Sequence, residues 1–161
     1  MSFSRLSFLL LAAALFLVTT PGHGQQANLL ESLFGGKPAG SSSSSSGKRV
    51  EIDLTKQQLK AYQGNRVILK TNISSGRTGN TPTGSFKAGP YKSETHFSSL
   101  YHNAPMPWSV QVTGHIFIHG FTEVPSYPAS KGCVRVPIDG RNPAKILYKW
   151  LDVGTPIRIS Y

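Results

Sequence analysis

From residue 49 onward the chain alternates. Val50, Ile52 and Leu54 are apolar while Glu51, Asp53 and Thr55 between them are polar, a period of two that predicts a strand with one buried face. Residues 58–63 and 67–73 read as two further strands joined across Gly64-Asn65, a two-residue hairpin whose central residues both tolerate positive φ. Thr81-Pro82-Thr83-Gly84 marks a turn before a short strand at 85–88. Residues 89–108 are rich in Pro, Ser, His and aromatics without a period and predict a long loop or flap. Strands follow at 110–113 and 115–119, then a loop broken by Pro125 and Pro128, then a strand at 133–136. The one helix predicted spans 142–151, with Asn142 as its cap, Pro143 in its first position and Gly154 after its end. Residues 155–160 close the chain as a strand. The expected fold class is mainly β, with one short helix.

The first residues have a different pattern. Arg5 precedes an apolar run from Phe8 to Val18, followed by Thr19, Thr20, Pro21 and the small-residue site Gly22-His23-Gly24, which predicts a secretory signal peptide over residues 1–24. The run is shorter than the roughly 20 residues that cross a bilayer, so no stable membrane span is expected after cleavage. Residues 25–48 include Gly-Gly, Pro38 and six consecutive serines, a flexible linker that cannot bury enough apolar surface to fold. Residues 49–161 then form one compact domain. The expected location is the periplasm or cell envelope.

The formal net charge is +10, so the partner should be anionic. Lysines and arginines are scattered rather than gathered into a stripe, which argues against nucleic acid and suits wall carboxylates or acidic headgroups. In an oxidising compartment the single cysteine, Cys133, has no intrachain partner. It is a buried apolar residue, an intermolecular bridge or a free reactive thiol.

The segment that carries chemistry is His119-Gly120-Phe121 followed, after thirteen intervening residues counted from His119 to Cys133, by Ser130-Lys131-Gly132-Cys133-Val134-Arg135. If the two strands lie side by side, thiol and imidazole come within reach. A thiol of pKa about 8.5 needs such a ring either to take its proton or to stabilise the thiolate as imidazolium. The amides of Gly132 and Cys133 are candidate donors to an oxyanion, and a carbonyl or hydroxyl must hold the tautomer of His119. Arg135 either binds a substrate carboxylate or pairs with Asp139 or Glu123. Ser130 either reaches across the site or completes the turn, and Trp108 and Tyr127 either line the cleft or pack its wall. His115, His119 and Cys133 could be drawn as zinc ligands, but alternating strand residues seldom converge and there is no H-E-x-x-H motif, so neither metal nor cofactor is expected.

The run HG…S-x-GC-x-R, in which Gly120 follows the histidine, resembles the YkuD-type L,D-transpeptidase signature, with His119, Ser130, Gly132, Cys133 and Arg135 at its fixed positions. The likeness extends over roughly residues 49–160, through Gly76-Arg77, Thr81-Pro82-Thr83-Gly84, Pro105-Met106-Pro107-Trp108 and Gly154-Thr155-Pro156-Ile157. Lys131 departs from it, standing where many members carry a second histidine whose backbone carbonyl orients the catalytic one. The resemblance implies a YkuD-type β-sandwich of mixed strands and a cysteine enzyme acting on peptidoglycan tetrapeptide stems. It further implies a thioester acyl-enzyme at the L-centre of a diamino acid, loss of terminal D-alanine and transfer to an amine. The acceptor could be a second stem, a free D-amino acid or an outer-membrane lipoprotein, and carbapenems are the expected inhibitors. The readings set against it are an L,D-carboxypeptidase using water, a secreted cysteine protease, and a wall-binding module that keeps the fold without catalysis.

Overall fold

The computed structural model describes residues 47–161; the expected signal peptide and all but the last two residues of the expected linker lie outside the described residues. The first strand, β1 (Lys48–Asp53), pairs antiparallel with β2 (Gln58–Gln63), which pairs with β3 (Arg66–Asn72). Gly64 takes φ +59° at the hairpin, whereas Asn65 keeps a negative φ, and the register shifts between Ala61 and Tyr62. After β4 (Gly84–Lys87), the chain leaves this sheet and returns to it only at its end, where β9 (Pro156–Ser160) inserts between β1 and β4 in the order β3-β2-β1-β9-β4. β9 runs parallel to β1 and antiparallel to β4, so the sheet is mixed.

The second sheet has the order β5-β6-β7-β8, formed by β5 (Lys92–Ser98), β6 (Ala104–Thr113), β7 (Ile116–Phe121) and β8 (Val134–Pro137). The loop or flap expected over 89–108 is instead the β5–β6 hairpin. Its period is hidden for physical reasons. β5 is an edge strand in which only Ser98 is buried. Its partner contains Pro105 and Pro107, which lie in the part of β6 paired only to β5, where a missing N–H costs no bond on the other edge. Trp108, at φ +58°, kinks the same strand. The expected strand at 115–119 starts one residue later, because His115 belongs to the turn.

The two sheets meet through side chains of alternate positions. Val50, Ile52, Leu59, Ile157 and Ile159 from one sheet and Val110, Ile118, Val134 and Val136 from the other are each no more than 2% exposed, every one contributing about 1.5–3 kcal/mol by leaving water. Helix α1 (Pro143–Trp150) packs against β3, β6, β7 and β8 and adds Ala144 and Leu147 to that core. Its start is as expected: the side chain of Asn142 accepts from the Lys145 amide at 2.9 Å and Pro143 follows the cap. The C-terminal carbonyls of the helix are met by two lysines from different sheets. Lys48 Nζ donates to Trp150 O at 2.6 Å, and Lys92 Nζ donates to Tyr148 O at 2.9 Å and to Leu151 O, the charge that a helix C-terminus favours.

Candidate active site

β7 and β8 are parallel neighbours, with Ile118 opposite Val134 and His119 opposite Arg135. Because side chains alternate, Ile118, Val134 and Val136 enter the core, while His119 and Arg135 project from the outer face of the sheet. Cys133 immediately precedes β8 and shares the parity of Arg135. The two strands expected to bring thiol and imidazole together are therefore adjacent, with the two residues offset by one pleat. The thiol is partly exposed and donates to the His115 carbonyl at 3.6 Å rather than to the ring.

The His119 ring is 5% exposed. Its Nδ1 lies 2.9 Å from the carbonyl oxygen of Gly120, which makes Nδ1 the protonated nitrogen and leaves the lone pair on Nε2. The orienting carbonyl, which the sequence left open, belongs to the next residue in the strand, Gly120, and not to Lys131. Gly120 has a second task. A Cβ there would collide with the Ile138 side chain and stand 3.1 Å from Pro107 O and 3.2 Å from Ala144 Cβ, so only glycine lets β7 approach β6 and α1 this closely.

Burial pushes the His119 pKa down from 6.5 to about 4, aided by the charges of Arg135 and His96 and opposed by the Gly120 bond. Burial also pushes the Cys133 thiol up, against the Phe117 backbone bond and the positive charge of Arg135. At neutral pH both partners are therefore uncharged, an arrangement in which the ring can act as a base toward a protonated thiol.

The turn before Cys133 is held by side chains on both sides. Ser130 Oγ donates to Cys133 O at 2.6 Å and accepts from the Gly132 amide at 3.0 Å, so Ser130 completes the turn. The same bond corrects the expectation that Gly132 donates to an oxyanion, since its N–H is already taken; the Cys133 amide is the candidate that remains. Thr81 Oγ1 donates to Gly132 O and accepts from the Gly76 amide, both at 2.7 Å, and is 2% exposed. Gly132 itself sits at φ +151°, and a Cβ there would come within 2.8 Å of Ile116 Cδ1. The segment that carries Thr81 is pinned to β8 through Ser74, which exchanges backbone bonds of 3.0 Å with Arg135, and through Arg77, whose amide donates to Ser130 O at 3.1 Å. The sequence showed Thr81 only as part of a turn, because its partner is 51 residues away.

Arg135 pairs with neither Asp139 nor Glu123: the ion pairs among the described residues lie elsewhere. Its guanidinium stacks on the Phe121 ring at 4.1 Å, and that ring meets His119 edge-on at 6.0 Å. Burial and the like charge of Arg77 depress its pKa, while Glu123 and Cys133 act the other way. Arg77 is exposed and its side chain has no hydrogen bond or ion pair among the described residues. It is a cation beside the site that the reading of the sequence did not single out.

The remaining expected residues separate. Trp108 packs on Tyr148 of the helix with ring centroids 5.6 Å apart, which makes it a wall residue. Tyr127 has an exposed ring and accepts from Ser74 Oγ through its carbonyl at 2.8 Å. Lys131 is exposed. His96, within the segment expected to be a loop or flap, stacks on Phe117 at 4.9 Å and lies 3.1 Å from the Tyr91 hydroxyl. Among the described residues no three His, Cys, Asp or Glu side chains are placed to hold a metal ion.

The arrangement has relatives. The chain spans about three-fifths of the length of the solved structures that follow. It is 34% identical to an L,D-transpeptidase from Xylanimonas cellulosilytica, covering 73% of this chain and 62% of that one with a TM-score of 0.61. It is 28% identical to an L,D-transpeptidase from Stackebrandtia nassauensis, covering 71% and 56% with a TM-score of 0.63. The fold is also that of the LD transpeptidase LdtMt1 in complex with imipenem, at 20% identity, 71% and 59% coverage and a TM-score of 0.63. No curated protein sequence matches the chain. The family model for the L,D-transpeptidase catalytic domain, YkuD, matches residues 47–159, and with nine strands in two mixed sheets and a single α-helix among the described residues, the chain belongs to that family.

Proposed function

We propose that this chain is an exported cysteine L,D-transpeptidase of the bacterial envelope, with Cys133 as nucleophile and His119 as base. The observation that carries the reading is the β7–β8 register, which sets a partly exposed thiol and a neutral imidazole on one outer sheet face, with Nδ1 held by Gly120 O. The thiol rotates from His115 O toward Nε2 of His119. Nε2 takes the proton as Sγ attacks the carbonyl carbon at the L-centre of a diamino acid in a tetrapeptide stem, and the Cys133 amide faces the developing oxyanion. When the tetrahedral intermediate collapses, the C–N bond breaks and D-alanine leaves as an amine, taking the proton from His119. An acceptor amine then attacks the thioester, His119 removes its proton, and Sγ leaves as the thiol.

Arg135 and Arg77 supply positive charge beside the thiol that, among the described residues, no carboxylate neutralises through an ion pair, which suits the carboxylates of a peptide stem. The acceptor is a second stem, a D-amino acid or an outer-membrane lipoprotein. The relative bound to imipenem supports a carbapenem as the acylating probe.

The test is the intact mass of the protein after exposure to meropenem, followed by incubation with purified muropeptides. The expected result is one carbapenem adduct and a cross-linked or exchanged product, both abolished in Cys133→Ala. Product formation unchanged in that variant overturns the assignment. Release of D-alanine without a cross-link assigns a carboxypeptidase, and wall binding without an adduct assigns a binding module.

A further inference from the structure

The outer face of the five-stranded sheet carries charge that the site does not use. Val50, Ile52, Leu59, Ala61, Ile157 and Ile159 point into the core, so the residues between them point to solvent. Strand pairing sets Lys70 opposite Lys60, Lys60 opposite Glu51, Glu51 opposite Arg158 and Arg158 opposite Ser85, one row across the whole sheet. Lys87 lies on the same face, two residues beyond Ser85. The acids on this face are already engaged, Glu51 by Arg49 at 3.1 Å and Asp53 by Lys56 at 2.6 Å. Lys60, Lys70, Lys87 and Arg158 make no side-chain hydrogen bond or ion pair among the described residues. Like charges directly opposite one another weaken a sheet, and Lys60 and Lys70 are such a pair, while the acid on the other side of Lys60, Glu51, is held by Arg49. The row ends on the edge strand β3, where Val67 and Ile68 are 47% and 37% exposed.

We propose that this face docks on a bilayer surface of anionic lipid. The unpaired cations meet headgroup phosphates, while Val67 and Ile68 enter the boundary between headgroups and acyl chains. The row gathers its cations on one face of the sheet, and the exposed apolar pair beside it is a feature that a soluble polyanion would leave unused. His119 and Arg135 project from the outer face of the other sheet, so a docked molecule turns its candidate catalytic groups away from the bilayer.

The test is co-sedimentation of the purified chain with vesicles of mixed phosphatidylglycerol and phosphatidylcholine, against phosphatidylcholine alone and against soluble polyphosphate. Binding is expected only to the anionic vesicles, weakening as salt rises. The variant Lys60→Gln/Lys70→Gln/Arg158→Gln should partition about 10²-fold less, the scale of three interfacial cations. The control Arg141→Gln/Lys145→Gln/Lys149→Gln removes the same charge elsewhere and should retain binding. Val67→Ser/Ile68→Ser should lower binding to vesicles. Equal losses in the two charge variants, absence of vesicle binding, or binding to polyphosphate with the serine variant unchanged on vesicles each overturn the proposal. Meropenem adduct formation should be the same in the lysine and arginine variants as in the parent chain, which keeps this result separate from the fate of the catalytic assignment.

Discussion

The Gly120 carbonyl oxygen lies 2.9 Å from Nδ1 of His119, one residue before it in the same strand. A strand residue thus fixes the tautomer of its own neighbour, and the ring needs no partner from a distant segment to present Nε2. The bond favours the charged ring, but burial outweighs it and holds the pKa near 4.

That balance predicts the pH dependence. The base form of His119 is present at any pH above about 4, so the acid limb of the acylation rate should fall near pH 4 rather than near 6.5. Stability should show the same group with a definite sign. Between pH 6.5 and 4 the unfolded chain takes up a proton that folded His119 resists, so the folded state loses stability as pH falls through that window, on the order of 3 kcal/mol when the window is crossed. Urea denaturation at stepped pH should show this loss in the parent chain and a smaller one in His119→Gln, in which the acylation rate should also fall by about 10²-fold or more.

Arg135 stacks on Phe121 and forms no ion pair among the described residues. Arg135→Gln should therefore change the melting temperature little while lowering kcat/KM for tetrapeptide stems by about tenfold or more, the scale of a charge-assisted hydrogen bond to a substrate. Steady-state kinetics and a thermal melt on one preparation check both halves; a large loss of stability with unchanged kcat/KM would make Arg135 structural.

Thr81→Val removes the hydroxyl that joins the Gly76 amide to Gly132 O while keeping the volume. Two buried backbone groups lose their partner, so we expect a loss of about 1–3 kcal/mol and, because the turn before Cys133 is no longer held, slower acylation by meropenem. Chemical denaturation and stopped-flow acylation read the two effects.

Lys92→Met keeps much of the aliphatic length and removes the ammonium from the end of α1, where it serves Tyr148 O and Leu151 O. Burial depresses the Lys92 pKa, yet the carbonyls it meets favour its charge. A destabilisation of about 1–2 kcal/mol is expected, measured by urea denaturation at neutral pH.

Much of this protein is local and therefore readable in order along the chain. The alternation of Val50, Ile52 and Leu54, the breaks at Gly64 and Gly84, and the Asn142-Pro143 start of the helix each depend on residues within a few positions of one another, and period and turn chemistry report such facts directly. His119 and Cys133 could also be singled out as the candidate pair, since their types and motif are properties of the chain. The β5–β6 hairpin was hidden because β5 is an edge strand and its partner β6 is interrupted by two prolines and a positive-φ tryptophan, so neither has a clean period. Only the tertiary structure decided that Thr81 meets Gly132, that Ser130 takes the Gly132 amide, that Arg135 lies on Phe121 rather than on a carboxylate, and that both members of the candidate pair are neutral at rest. These outcomes depend on burial and on contacts between segments far apart in sequence, and those exist only once the two sheets have closed on each other.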